Sequence, residues 1–201
     1  MITEKNIICF GFADWDNPYR TNQHHIMERL AKHNRILFVE SLGLRRPVFQ
    51  KKDIIRIIRR FVKSISGLRR INSNLYVYSP LVLPFHKYEV IKKFNNFILK
   101  ICLKYYVKKQ KFESPIIWTY IPNIVEIISV FKYQLLVYHC VDELSANPLI
   151  PTEVVKELER KLLIRSDVVF VTSRRLFESK SPYNENTYYL PNVCDHSHFS
   201  K

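Results

Sequence analysis

Short runs of apolar residues alternate along the chain with longer segments in which apolar positions recur every three or four residues. The first pattern predicts strands buried on both faces, and the second predicts helices with one buried face. Strands are predicted at 6–10, 35–39, 75–78, 115–120, 135–138, 167–171 and 187–190, and helices at 21–33, 87–110, 122–131, 152–165 and 173–180. This alternation predicts an α/β fold, an open, doubly wound, mainly parallel sheet with helices on both faces.

The length of 201 residues fits one such domain. Residues 1–190 are predicted to form it, and residues 191–201 are predicted to begin a linker. No apolar run approaches the ~20 residues that a membrane-spanning helix requires, and the amino terminus lacks the features of a signal peptide. The four cysteines form no C-x-x-C pair, so neither a zinc site nor a disulfide framework is indicated. We therefore expect a cytoplasmic protein with no metal or other cofactor.

Basic residues are concentrated in two segments of the chain. There are 32 Lys and Arg against 18 Asp and Glu, which gives a formal net charge of +14. Ten basic residues and one acidic residue lie between 45 and 70, and eight lysines and one glutamate lie between 87 and 111. This distribution predicts a polyanionic partner, which could be a membrane surface, a nucleic acid or a phosphorylated substrate.

The stretch 54–65, inside the first basic segment, is strongly amphipathic. At 100° per residue its large apolar side chains fall within about 160° of arc. Its other side carries Arg56, Arg59, Arg60 and Lys63. Such a pattern is typical of a helix lying in the interface of an anionic membrane, and these four residues are the candidate membrane contacts. An ordinary surface helix packed on the sheet has the same pattern, so both interpretations stand.

The chain has only three glycines. It contains no G-x-G-x-x-G and no G-x-x-x-x-G-K sequence, so neither a dinucleotide-binding fingerprint nor a phosphate-binding P-loop is present. In a doubly wound sheet, ligands bind beyond the carboxyl ends of the strands. Candidate functional residues are therefore sought in the loops that follow the predicted strands.

The loop 11–20 follows the first predicted strand. Asp16 or Asn17 is predicted to cap the next helix, with Pro18 in its first turn, so that free N–H groups would face the crevice. The loop either binds a ligand or is only a capped helix start with an exposed turn. The candidate substrate-binding residues of this loop and of the other strand ends are Gly11, Asp14, Trp15, Arg20, Gln23, Tyr120 and Ser173.

The densest group of polar side chains is 138–143, at the end of a predicted strand. Transfer of a sugar or acyl group to a hydroxyl needs a general base, and His139 or Asp142 could serve. A histidine in this place can also be a rim residue without chemistry. His24 and His25 are adjacent on a predicted helix and point about 100° apart, so they cannot both face one metal ion.

Several segments resemble, in this order, the motifs of bacterial family 4-like GT-B glycosyltransferases, especially the teichuronic-acid-type branch. The segments are 11–15, 23–24, 29–40, 136–143, 166–173 and 189–199. The last resembles the P-N-G-V-D-x-x-x-F motif at the entry to the interdomain linker, with Val193 in place of the usual glycine.

The resemblance implies the amino-terminal, acceptor-side Rossmann-like domain of an enzyme that transfers a sugar from a nucleotide-sugar. The acceptor would be a cell-envelope polysaccharide or a lipid-linked saccharide at the inner membrane face. The resemblance implies His139 as the base or acceptor contact, with Asp142 as the alternative. It also implies that a second domain, absent from this chain, holds most of the donor.

A binding module without catalytic activity is the alternative. The lysines and tyrosines of 104–109 would suit a nucleic acid, but the sequence contains no known nucleic-acid-binding motif, so we expect no nucleic-acid partner. A regulatory interaction domain is a third hypothesis.

Overall fold

The computed structural model describes residues 2–42, 62–64, 67–82, 89–146 and 151–192. The strands in these ranges are β1 (Asn6–Phe10), β2 (Arg35–Val39), β3 (Leu68–Arg70), β4 (Leu75–Tyr78), β5 (Ile116–Thr119), β6 (Leu135–Cys140), β7 (Val168–Val171) and β8 (Thr187–Tyr189). The α-helices described from end to end are α1 (Asn22–Leu30), α2 (Glu89–Lys109), α3 (Thr152–Arg165) and α4 (Arg174–Lys180), and residues 62–64 are also helical.

The strands form one sheet in the order β3-β4-β2-β1-β5-β6-β7-β8. All neighbouring pairs are parallel except β3 and β4, which are antiparallel. From β4 to β7 the strands follow the Rossmann order 3-2-1-4-5-6. The predicted doubly wound α/β fold is therefore confirmed.

Two apolar clusters lie on opposite faces of the sheet. Met27 of α1 and Ala31, which directly follows this helix, pack on one face with side chains of β1, β2 and β5. Leu103 of α2 and Leu162 of α3 pack on the other face. Because side chains alternate along a strand, neighbouring residues of β6 belong to different faces, and this separates His139 from Tyr138 and Cys140.

Helix α1 begins within one residue of the predicted 21–33 but ends earlier, at Leu30, and its cap differs from the prediction. Its N-cap is Thr21, whose backbone N–H donates to Nδ1 of His24 at 3.0 Å. The prediction of Asp16 or Asn17 as the cap, with Pro18 in the first turn, is therefore wrong. The imidazole of His24 accepts the hydrogen bond from the N-cap N–H that a Glu or Gln side chain at this helix position usually accepts.

Two further elements differ from the prediction. The segment predicted as a helix at 122–131 consists of two short 3₁₀ turns, Pro122–Glu126 and Ile128–Val130. Its many β-branched residues have restricted rotamers in a helix, which disfavours a continuous α-helix. Strand β3 was not predicted because two of its three residues are arginines.

No helix in the described ranges is long and apolar enough to cross a membrane. Arg56, Arg59 and Arg60 lie outside the described residues, as does the proposed linker beyond Asn192. Of the predicted membrane contacts, Lys63 alone lies within them.

Candidate functional site

The strand order reverses between β1 and β5, and a ligand crevice in this fold opens at that point beyond the carboxyl ends of the strands. The loop 11–20 leaves β1 there, and Tyr120 directly follows β5. His139 is the penultimate residue of β6, the next strand of the sheet. Three regions predicted from the sequence therefore meet at one edge.

Gly11 allows a close approach between the first loop and helix α1. A Cβ at Gly11 would lie 2.4 Å from Cζ of Phe38 and 2.7 Å from Oε1 of Gln23. That oxygen accepts a hydrogen bond from the N–H of Phe12 at 2.9 Å. The buried Nε2 of Gln23 finds no hydrogen-bond partner in the described part of the chain. Gly11 thus shapes the loop, and Gln23 offers one unused donor group.

Trp15 and Asp14 fix the loop mainly through their backbone atoms. The N–H of Trp15 donates to Oε1 of Glu40 at 2.8 Å, and Nε2 of His24 lies 3.1 Å from the carbonyl oxygen of Asp14. The indole of Trp15 is buried against Phe38 and is part of the core. Burial lowers the pKa of His24, which favours the neutral ring that these contacts require.

Arg20 is held within the same loop. Its guanidinium lies 4.8 Å from the ring centroid of Trp15 and donates from Nη1 to the Trp15 carbonyl oxygen at 3.0 Å. It also forms an ion pair with Glu28 of α1. These contacts occupy Arg20 with structural partners.

A cluster of charged side chains, which sequence reasoning missed, holds the ends of β2 and β4 together. Glu40 is buried and accepts hydrogen bonds from Ser79 and from Nη2 of Arg69. Nη1 of Arg69 lies 3.0 Å from Oδ2 of Asp16, and Nζ of Lys63 lies 2.9 Å from the same oxygen. Partial burial alone would raise the pKa of Asp16, but these two cations hold it below its ordinary value.

This cluster changes the interpretation of Lys63. Its ammonium group pairs with a loop of the crevice, where the sequence pattern predicted a membrane contact. The sequence could have identified Glu40 as a candidate residue, because this carboxylate directly follows the wholly apolar end of a predicted strand. The partners of that carboxylate come from distant segments, which the sequence alone does not bring together.

His139 lies in an aromatic cluster on the α1 side of the sheet. The ring of Tyr120 stacks on it with centroids 4.9 Å apart, and Trp118 and Phe170 meet it edge to face at 5.9 and 6.0 Å. Only 1% of His139 and 2% of Tyr120 is exposed. The sequence analysis missed Trp118 and Phe170, although strand alternation places both on the face of His139.

Several polar atoms of this cluster lack a well-formed hydrogen bond. Among the described residues, both ring nitrogens of His139 are buried without any partner. The hydroxyl of Tyr120 and Nε1 of Trp118 are also buried, and they interact with each other without a hydrogen bond of good geometry. Buried polar groups are almost always paired, so several unpaired groups together are unusual outside functional sites. They provide donors and an acceptor for a ligand rich in hydroxyl groups.

Burial lowers the pKa of His139 to about 4. The imidazole is therefore neutral at physiological pH, with one nitrogen able to accept a proton. The burial that lowers this pKa comes from the rings packed around His139 on the face of the sheet.

Two other predicted site residues stand apart from the cluster. Asp142 is exposed, and it does not orient His139, whose ring forms no hydrogen bond with any residue in the described ranges. Ser173 caps α4, and its Oγ accepts a hydrogen bond from the N–H of Leu176 at 3.2 Å. In the described ranges, no three His, Cys, Asp or Glu side chains come together as a metal site.

The segment after β8 returns to the start of α1. Nδ2 of Asn22 donates to Oδ1 of Asn192 at 3.1 Å, while Oδ1 of Asn22 is buried without a partner in the described part of the chain. The segment predicted to lead into a linker thus reaches the helix that borders the crevice.

The chain is similar in fold to sucrose-phosphate synthase. A solved structure of that protein from Thermosynechococcus elongatus superposes with a TM-score of 0.52, covering 98% of this chain and 93% of the solved chain, at 13% sequence identity. No protein-family model matches the sequence, and no curated protein is significantly similar to it. The similarity supports the Rossmann-like α/β fold.

The burial of His139 predicts a loss of stability in acid. The unfolded chain binds a proton near pH 6.5, whereas the folded chain binds it only near pH 4. The stability that depends on a neutral His139 is therefore fully present above about pH 6.5. The free energy of unfolding should fall by at most about 3 kcal/mol as the pH decreases from there toward 4. Urea unfolding at a series of pH values measures this decline.

A matched pair of variants isolates the contribution of His139 to that decline. His139→Phe keeps an aromatic ring in the cluster and should flatten the decline. The same substitution at the exposed His33 should leave it unchanged. An unaltered decline in His139→Phe would show that the imidazole is not buried in the folded protein.

Proposed function

We propose that this chain is the acceptor-side domain of a glycosyltransferase. It would help transfer a sugar from a nucleotide-sugar donor to a cell-envelope polysaccharide or a lipid-linked acceptor, as in family 4-like enzymes of the teichuronic-acid-type branch. The observation that carries the proposal is the buried, unpaired cluster of His139, Tyr120 and Trp118 beside the crevice. The fold shared with sucrose-phosphate synthase, a GT-B glycosyltransferase, supports it.

His139 has the properties required of an acceptor-contacting base. Its ring is neutral, so one nitrogen can accept the proton of an acceptor hydroxyl as the new glycosidic bond forms. A pKa of about 4 makes it a weak base in the free domain. The negative diphosphate of a donor brought nearby would raise that pKa, because an opposite charge favours the protonated imidazole. Donor binding would thereby strengthen the base.

The aromatic rings provide the surface against which the acceptor would be oriented. Tyr120 and Trp118 offer a hydroxyl and an indole N–H for its hydroxyl groups, and Gln23 offers an amide. A buried polar group without a hydrogen bond costs about 1–3 kcal/mol of free energy. A ligand that forms those missing hydrogen bonds should therefore gain more binding free energy here than from the same groups on the surface. Asp142 remains an alternative base that would act from the exposed rim.

The donor is proposed to bind mainly to a second domain. The chain has no glycine-rich phosphate loop, so nucleotide-sugars should bind only weakly to it and transfer by the chain alone should be negligible. We place such an enzyme in the cytoplasm at the inner membrane face.

Tryptophan fluorescence can test the proposal, because the chain has only two tryptophans. In Trp15→Phe the remaining indole is Trp118, which lies 5.9 Å from the ring of His139. We expect a panel of oligosaccharides to change its emission saturably, and UDP-glucose alone to have little effect. In Trp118→Phe, which retains only Trp15, the same saccharides should have no effect.

A further substitution connects the response to the cluster. Adding His139→Phe to the Trp15→Phe variant should weaken saccharide binding by about tenfold, the cost of one lost hydrogen bond to a buried group. Tight, saturable binding of UDP-glucose would show that the donor site has been misassigned. Binding of oligonucleotides without any saccharide response would favour the alternative binding module.

A further inference from the structure

Helix α2 is apolar on two opposite sides. Leu99 and Leu103 are buried against the sheet. The opposite side carries five large side chains that are 49–78% exposed, which we call the apolar stripe: Val90, Phe94, Phe97, Ile101 and Tyr105. Their spacing of three or four residues places them within about 80° of arc on the helix surface. A contiguous apolar surface of this kind marks an interaction site, whereas single exposed apolar residues do not.

Lysines border the apolar stripe. Helix α2 contains six lysines and one glutamate, Glu89. At 100° per residue, Lys93, Lys100 and Lys104 lie along one edge of the apolar stripe. Lysine side chains can lay their methylene groups along an apolar surface while the ammonium group reaches a phosphate. The charge of the helix therefore complements an anionic lipid surface.

A cavity at the carboxyl-terminal end of the apolar stripe adds a second basic feature. It has a volume of about 420 Å³ and is lined by Arg70, Tyr76, Tyr105, Tyr106 and Lys109, among others. Tyr105 belongs to both the cavity and the apolar stripe, and Nζ of Lys109 lies 5.5 Å from its ring centroid. Two cations beside phenol hydroxyls suit the phosphate of a lipid headgroup.

We propose that α2 docks this chain on an anionic membrane, with the apolar stripe in the interface and an anionic lipid headgroup in the adjoining cavity. This surface lies within the second basic segment, 87–111, and is distinct from the amphipathic stretch 54–65. The proposal stands independently of sugar transfer, because it rests on a helix on the face of the sheet opposite His139.

A second copy of the chain fits the apolar stripe less well. Two such helices packed face to face would bring their lysine edges near each other, and like charges that cannot separate oppose association. An anionic bilayer instead satisfies the apolar surface and the lysines together.

Sedimentation of the 201-residue chain with lipid vesicles tests the proposal. We expect binding to vesicles of equal parts phosphatidylglycerol and phosphatidylcholine, and much weaker binding to phosphatidylcholine alone. Phe94→Gln with Phe97→Gln should weaken binding to the mixed vesicles by about tenfold or more, because two partly inserted phenylalanines are lost. The matched control, Ile164→Gln with Phe177→Gln, changes exposed apolar residues of α3 and α4 and should bind like the wild type.

A second pair of variants tests the charges. Arg70→Gln with Lys109→Gln should reduce the preference for phosphatidylglycerol. The control, Lys156→Gln with Arg160→Gln, removes the same amount of charge from α3 and should leave the preference for phosphatidylglycerol unchanged. All four substituted sites are solvent-accessible, and unchanged thermal midpoints confirm that each variant folds.

Three results would overturn the proposal. One is equal binding to both kinds of vesicle, and another is equal loss of binding in the α2 variants and their controls. The third is self-association of the wild type in sedimentation velocity runs that is abolished by Phe94→Gln with Phe97→Gln, without binding to vesicles. That result would assign the apolar stripe to a contact between two copies of the chain.

Discussion

Replacing Lys180 by methionine is expected to lower the free energy of unfolding by about 3–5 kcal/mol, because it leaves a buried carboxylate without its cation. Lys180, at the end of α4, is only 6% exposed. Its Nζ lies 2.8 Å from Oε2 of Glu159 and 2.9 Å from Oε2 of Glu143. Glu159 is 3% exposed and also accepts a hydrogen bond from the hydroxyl of Tyr138 at 2.7 Å.

Two comparisons isolate this effect. Lys161→Met makes the same chemical change at an exposed ion pair with Glu157, and it should cost less than about 1 kcal/mol. Adding Glu159→Gln to Lys180→Met removes the uncompensated charge and should recover part of the loss. Urea unfolding curves provide all three values. A cost for Lys180→Met as small as that for Lys161→Met would show that the Lys180–Glu159 pair is not buried in solution.

The apolar strands were predictable because their residues are buried on both faces and so form continuous apolar runs. This was sufficient for 6–10 and 35–39, whose predicted bounds match β1 and β2. The antiparallel strand β3 could not be predicted in this way, since two of its three residues are arginines, one of which, Arg69, pairs with Glu40 and Asp16. Its strand conformation depends on pairing with β4, which no local pattern shows.

The position of the candidate site was predictable, but its burial was not. In this topology the strand ends lie at the crevice, and His139 and Tyr120 were predicted as site residues because they lie at strand ends. Strand alternation assigns His139 to one face, yet the sequence does not show that Tyr120 and Phe170 cover it there. The lowered pKa of His139 depends on those packed rings, which come from separate strands.

The two faces of β6 differ in how their polar groups are paired. Tyr138 and Cys140 point toward the buried pair of Glu159 and Lys180, where every polar group described above has a partner. His139, between them in sequence, points to the face where polar atoms are unpaired. The first face stabilises the sheet, so substitutions there should affect folding before activity. The second retains hydrogen-bonding capacity for a ligand.

In the complete enzyme that we propose this chain belongs to, His139→Ala is expected to lower turnover by at least about a hundredfold, the usual lower bound for loss of a general base. Alanine leaves a cavity among the buried rings and lowers the free energy of unfolding, so turnover is compared at a temperature at which circular dichroism shows the variant to be folded. The effect should appear mainly in kcat, since the proton is transferred only as the new bond forms.

Asp142→Asn is the matched comparison for that variant. Asp142 is exposed and does not hydrogen-bond the imidazole, so this variant should retain most of the turnover. If His139 is the base, the wild-type rate with donor bound should fall as acid protonates the imidazole, and the Asp142→Asn variant should show the same acid limb. Normal turnover in His139→Ala with a collapse in Asp142→Asn would assign the proton transfer to Asp142. Near-normal rates in both would show that the loop only shapes the acceptor pocket.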